Sequence, residues 1–106
     1  MKTLDLASVI TDVKNLLSQN PAPIKRAGVF GSLATGQFND ESDIDIAIEY
    51  DPGENFDFDR FVKFCELCEL LSESVSSLYG RDVDIIPIED HERNIYHDVQ
   101  GEIVWI

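Results

Sequence analysis

Gly31-Ser32 closes one apolar run, and Asp43-Ile44-Asp45 opens a second after ten intervening residues. Glycine, having no Cβ, lets backbone approach a ligand closely. Ser32 adds a hydroxyl, and the turn that follows offers free N–H groups to a phosphate chain. Residues i and i+2 of a strand project from the same face, about 6.6 Å apart by strand rise. Two carboxylates held there repel unless a cation lies between them. In two-metal transfer reactions that role falls to a pair of Mg²⁺ ions roughly 3.5–4 Å apart. Taken singly, Gly-Ser is an ordinary turn and Asp43 and Asp45 are a solvated strand face. Together, at this spacing, they are a triphosphate cradle facing a metal site, and the chemistry such a pair serves is nucleotidyl transfer.

A third carboxylate is expected from a neighbouring strand, and Arg81-Asp82-Val83-Asp84-Ile85-Ile86 supplies two candidates. Asp82 and Asp84 share a face opposite Val83 and Ile85. Asp84 lies deeper in the strand and Asp82 sits beside the Gly80 turn, which favours Asp84 as general base, or as metal ligand, for an attacking hydroxyl.

The elements that must hold these residues follow from periodicity. Leu6, Val9, Ile10, Val13, Leu16 and Leu17 recur at helical spacing, and Asn20-Pro21 with Pro23 ends that helix. Residues 24–30 read as a strand with a buried Ala27-Gly28-Val29-Phe30 end. Residues 31–42 form a loop with a short helical turn from Ser32, relaxed by Gly36. Residues 43–50 alternate Ile44, Ile46 and Ile48 against Asp43, Asp45 and Ala47, predicting a strand with one core face and one functional face. Pro52-Gly53 breaks it. Residues 58–79 read as a long helix capped by Gly80, residues 83–88 as a third strand, and residues 103–105 as a short fourth, preceded by a helical turn near residues 94–97. The expected fold is α/β (α+β): a small mixed sheet packed against two main helices, in a single domain over residues 1–106.

The net charge of −13 over 106 residues argues against nucleic acid as a direct partner, because such binding relies on Lys and Arg neutralising phosphates. It suits a basic protein partner, or solubility alone. Apolar runs are too short for a membrane span and the N-terminus lacks the apolar stretch of a signal peptide, so the cytoplasm is the expected compartment. Cys65 and Cys68, three apart without a second pair, read as small core residues of the long helix rather than a zinc or redox site. His91 and His97 read as surface residues, and Tyr96 and Trp105 as packing anchors.

Gly31-Ser32-Leu33-Ala34-Thr35-Gly36, then Ser42-Asp43-Ile44-Asp45-Ile46, then Val83-Asp84-Ile85 resemble the motifs of the minimal nucleotidyltransferases of the DNA polymerase β-like superfamily. The resemblance extends over nearly the whole chain, to its Gly101-Glu102-Ile103-Val104 ending. It implies ATP as substrate and Mg²⁺ as cofactor. It also implies Gly31 and Ser32 on the triphosphate, Asp43 and Asp45 on metal, and Asp84 as the third carboxylate. Members of this family commonly act as antitoxins of HEPN-type ribonuclease toxins by transferring AMP to a toxin tyrosine. That role suits a chain too short for a second substrate-binding domain and acidic enough to complement an RNA-binding toxin. Many relatives carry an Arg just after Gly-Ser, where this chain has Leu33, Ala34 and Thr35. Lys25, Arg26 or a partner side chain is then expected to supply that charge. Two other functions stay open at this point: an inactive antitoxin that neutralises by binding, and a small-molecule nucleotidyltransferase of the aminoglycoside-modifying kind. The long helix carries a wider apolar stripe than a small sheet can cover, which predicts a homo- or hetero-oligomeric interface.

Overall fold

The computed structural model describes residues 2–51, 53–55, 57–88 and 103–106. The elements run α1 (Leu6–Gln19), β1 (Ile24–Phe30), α2 (Gly31–Thr35), β2 (Ile44–Tyr50), α3 (Phe58–Tyr79), β3 (Val83–Ile88) and β4 (Val104–Trp105). The described strands form one sheet in the order β3-β2-β1-β4. β1 is antiparallel to both β2 and β4, while β2 and β3 are parallel. A parallel pair needs a long crossover connection, and α3 provides it.

The local chemistry explains each helix. Asp5 caps α1 by accepting from the Ser8 N–H, and Asp57 caps α3 by accepting from the N–H groups of Asp59 and Arg60. Gly80 ends α3 in the left-handed region at φ 65°, its N–H returning to the Ser76 carbonyl.

Both long helices lie on one face of the sheet. Val9 and Val13 of α1 and Phe64, Leu67, Leu71 and Val75 of α3 pack with Ala27 and Val29 of β1 and Ile44, Ile46 and Ile48 of β2 in one core. The Tyr79 hydroxyl donates to Asp12 at 2.6 Å, and Lys2 Nζ donates to the same carboxylate at 2.8 and 2.9 Å, so α1 and α3 are also pinned to each other. The opposite face carries a smaller apolar patch of Phe30, Ala47, Ile88 and Ile103, flanked by Ile86 and Trp105. Among the described residues neither long helix packs on this second face, which is the one on which Asp45 sits.

Several expectations are refined. β2 begins at Ile44, placing Asp43 one residue before the strand. β2 is buried on both faces beyond Asp45: Ala47 and even Glu49 are sequestered, because the face expected to be free carries the apolar cluster of Phe30, Ala47, Ile88 and Ile103. Of the two cysteines expected in the core, Cys68 is half-buried and packs against it, whereas Cys65 is exposed; both are free thiols. The excess apolar residues of α3 emerge as exposed Phe58 and Phe61. With Tyr50, Phe64, Cys65, Cys68, Ile85 and Pro87, Phe61 lines a groove of about 340 Å³ between α3 and the sheet edge. The turn expected near residues 94–97, with His91, Tyr96, His97, Gly101 and Glu102, lies outside the described residues. Among the described residues no helix is long and apolar enough to cross a membrane.

Candidate active site

Three cross-strand rows organise this second face. The register sets Phe30 opposite Asp45 and Asp45 opposite Asp84. The next row is Trp105, Gly28, Ala47 and Ile86, and the last is Arg26, Glu49 and Ile88. Alternate residues of a strand share a face, so Asp45 and Asp84 stand side by side at one end of this surface. Asp43, one step before β2, reaches the same end from the α2–β2 loop.

The turn that closes β1 lies beside them. Gly31 has φ 72° and opens α2, with Ser32 following; Gly36 closes it at φ 80°. A Cβ on Gly31 would overlap the Asp45 carboxylate. The turn and the first strand carboxylate are thus in direct contact, which fixes the Gly31-Ser32 backbone next to Asp45. Leu33, by contrast, is buried at 1% exposure and anchors the turn into the helix-side core.

The electrostatics are those of an uncompensated acidic cluster. Burial raises the Asp45 carboxyl above its ordinary value of 3.8, and repulsion from Asp84 and then Asp43 raises it further. Among the described residues no ion pair neutralises any of the three. Asp43 and Asp84 are exposed and Asp45 half-buried. As they stand, no three described His, Cys, Asp or Glu side chains converge tightly enough to hold a metal ion. The donors nevertheless fit a hard divalent cation: all are carboxylate oxygens, and Mg²⁺ sites of nucleotide-using enzymes take one or two carboxylates and complete the shell with substrate phosphates and water.

Asp82 and Asp84 are separated by the fold. Asp82 precedes β3 and contributes its backbone, its carbonyl accepting from the Ile44 N–H at 3.0 Å; Asp84 alone lies opposite Asp45. The cations are also sorted. Lys25 and Arg26 sit at the start of β1, at the far end of the sheet from Gly31. Arg26 Nε donates to Glu49 at 2.9 Å, and the guanidinium stacks 3.7 Å from the Trp105 ring centroid. Lys25 Nζ lies 3.9 Å from Glu49. The expectation that these two replace the missing Arg after Gly31-Ser32 is therefore not met, because β1 carries them away from the turn. The cation that reaches the loop before Asp43 is, among the described residues, Arg81, whose Nη1 donates to the carbonyls of Asn39 and Ser42 at 2.7 and 2.9 Å. Sequence reasoning passed over it; its place three residues before Asp84 was the available signal.

A Gly-Ser turn abutting a carboxylate strand, with a second carboxylate strand parallel to it and both helices on the opposite face, defines a nucleotidyl-transfer core. Residues 11–106 match the family described as Polymerase beta, Nucleotidyltransferase, and the chain belongs to that family. It is 30% identical over 108 residues to a protein of Methanocaldococcus jannaschii described as a protein adenylyltransferase, covering 100% of both chains. It is 29% identical over 107 residues to the protein adenylyltransferase MntA of Thermococcus cleftensis, covering 100% of this chain and 98% of the relative. In three dimensions it resembles a chain from the complex of tri-AMPylated Shewanella oneidensis HEPN toxin with MNT antitoxin. That match has a TM-score of 0.58 at 19% identity, over 94% of this chain and 70% of the other.

Proposed function

We propose that this chain is a Mg²⁺-dependent protein adenylyltransferase that moves AMP from ATP to a hydroxyl, most simply a tyrosine, of a cognate HEPN-type ribonuclease toxin in the cytoplasm, and so acts as its antitoxin. The observation that carries this reading is the pairing of Asp45 with Asp84 on the sheet face opposite α1 and α3, beside the Gly31-Ser32 turn. Full-length similarity to two protein adenylyltransferases supports the protein acceptor.

In this reading Gly31 and Ser32 bind the triphosphate through backbone N–H groups and the Ser32 hydroxyl. Asp43 and Asp45, with Asp84, hold the metal, which supplies neutralisation of the charge that builds on the phosphoryl oxygens. The acceptor oxygen attacks the α-phosphorus; the new O–P bond forms as the bond to the pyrophosphate leaving group breaks. Asp84, exposed at the sheet edge, takes the proton that the hydroxyl releases. The partner protein presents its hydroxyl-bearing side chain at the end of the sheet where Asp43 and Asp84 are exposed. No pocket for a small acceptor is required.

The test is the intact mass of the partner toxin after incubation with this protein, ATP and Mg²⁺, with the Asp43→Asn/Asp45→Asn double variant alongside. Gains in steps of one AMP that vanish with the variant support the proposal. No gain while the two proteins still co-purify identifies a binding-only antitoxin.

A further inference from the structure

Asp43 lies just outside the strand ladder, because β2 starts at Ile44. What positions it is the segment immediately before it. Within that segment the Ser42 N–H donates to the Asn39 carbonyl at 3.2 Å, the Asn39 N–H to Ser42 Oγ at 2.9 Å, and the Glu41 N–H to Asn39 Oδ1 at 2.8 Å. These bonds close the turn on itself but attach it to nothing else.

The attachment comes from Arg81. Its Nη1 bridges the carbonyls of Asn39 and Ser42 at 2.7 and 2.9 Å, across 42 and 39 residues of sequence. Arg81 is placed for this by the Gly80 cap, which turns the chain out of α3 at φ 65° and into β3. One residue on, the Asp82 carbonyl accepts from the Ile44 N–H at 3.0 Å. The peptide leading into Asp43 is thus tied from one side by a guanidinium and from the other by backbone, both from the segment that leads to Asp84.

We infer that Arg81 is a positioning residue for the transfer reaction: by clamping the Asn39–Ser42 turn to the β3 lead-in, it sets the Asp43 carboxylate in register with the Asp45–Asp84 pair. The inference rests on the proposed role of Asp43 as a metal ligand. The clamp acts on metal binding rather than on the nucleotide, since its bonds end on the loop that delivers Asp43. Outer partners that orient metal ligands change metal affinity by about 10–100-fold when removed. One nitrogen makes both bonds, so a lysine ammonium, with three donors, retains the bridge.

The experiment compares wild type, Arg81→Ala and Arg81→Lys. Mn²⁺ binding is titrated by electron paramagnetic resonance with a non-hydrolysable ATP analogue present, together with the Mg²⁺ dependence and ATP KM of toxin adenylylation and the thermal midpoint. Expected for Arg81→Ala is a Mn²⁺ Kd and half-saturating Mg²⁺ raised at least tenfold, an ATP KM at saturating Mg²⁺ within twofold of wild type, and recovery of metal affinity in Arg81→Lys. Unchanged Mn²⁺ affinity in Arg81→Ala overturns the inference. A raised ATP KM with unchanged metal affinity also overturns it, by placing Arg81 on the phosphates. A lowered thermal midpoint with metal affinity equally weak in Arg81→Lys does so too, by making the residue merely structural. Should wild type bind Mn²⁺ with nucleotide yet transfer no AMP, the proposed function fails while the metal titration still decides the role of Arg81.

Discussion

Gly31 and Asp45 touch: the glycine Cα rests against the carboxylate, where any Cβ would overlap an Asp45 oxygen. Two constraints therefore meet at one residue. Its φ of 72° lies in the left-handed region, where a side chain is strained by about 1–2 kcal/mol. Its missing Cβ leaves the space in which the carboxylate stands. Glycine is required here by the protein's own acid as well as by any ligand.

Gly31→Ala is expected to displace the Asp45 carboxylate and lower the adenylylation rate at least tenfold. Gly36→Ala is the matched control: it shares the positive φ, at 80°, but a Cβ there meets nothing within 4 Å. It should lose about 1–2 kcal/mol of stability and keep its activity. Rate constants and thermal midpoints of the two variants check this; equal loss of activity in both would show that backbone strain, not the contact with Asp45, is what matters.

Asp45 should make the protein less stable as pH rises. Burial, Asp84 and Asp43 raise its carboxyl above 3.8 in the folded state. Over the window from that ordinary value up to the raised one, the folded state binds more protons than the unfolded state, so stability falls with increasing pH. Asp45→Asn removes this penalty. In metal-free buffer the variant should melt above wild type at pH 7, the difference shrinking to nothing below the ordinary carboxylate range. Mg²⁺ should raise the wild-type midpoint more than that of the variant. A variant that melts lower than wild type at pH 7 would contradict this account.

The order of elements and the chemistry-bearing motifs were legible because they are local. Apolar periodicity marked α1 and α3, alternation marked β2, and Gly31-Ser32 followed by Asp43 and Asp45 needed only spacing. The family resemblance named the superfamily that the match over residues 11–106 establishes. What stayed hidden depends on pairing across the chain. Glu49 is buried because antiparallel register sets it beside Arg26, a fact no window around Glu49 contains. Arg81 reaches a loop 39 residues away. Cys65 looks like a core residue by type, yet the sheet is too narrow to cover the face of α3 on which it lies.

The two cysteines should differ sharply in reactivity. Burial, and then the neighbouring Cys65, push the Cys68 thiol up to about 11, whereas Cys65 is exposed on α3. Since the thiolate is the nucleophile, iodoacetamide at pH 8 should place one adduct on Cys65 within the time that Cys68 remains unmodified. The second adduct should follow only near pH 11 or in denaturant. Peptide mapping by mass spectrometry reads both sites. Modification at the two positions at equal rates would mean that the α3 groove opens far more than its packing against Tyr50 and Phe64 allows.

Arg26 and Glu49 lie at the far end of the face that carries Asp45, and their roles separate stability from activity. Glu49 is 7% exposed and is held chiefly by Arg26 Nε at 2.9 Å, with Lys25 at 3.9 Å. Arg26→Ala leaves this carboxylate in a buried setting with the weaker partner, and it also strips the guanidinium from Trp105. An unsatisfied buried group costs about 1–3 kcal/mol. The Arg26 side chain is 46% exposed, which places the expected loss toward the low end. Arg26 and Phe30 are four steps apart along the strand, about 13 Å by strand rise, so the variant should melt lower while its ATP KM stays within twofold of wild type. The Arg26→Ala/Glu49→Gln double variant should recover part of the stability, because it removes the stranded charge. Thermal melts and initial-rate kinetics decide it. A tenfold rise in ATP KM would show that Arg26 does serve the triphosphate, with the charge supplied from the far end of β1 after all.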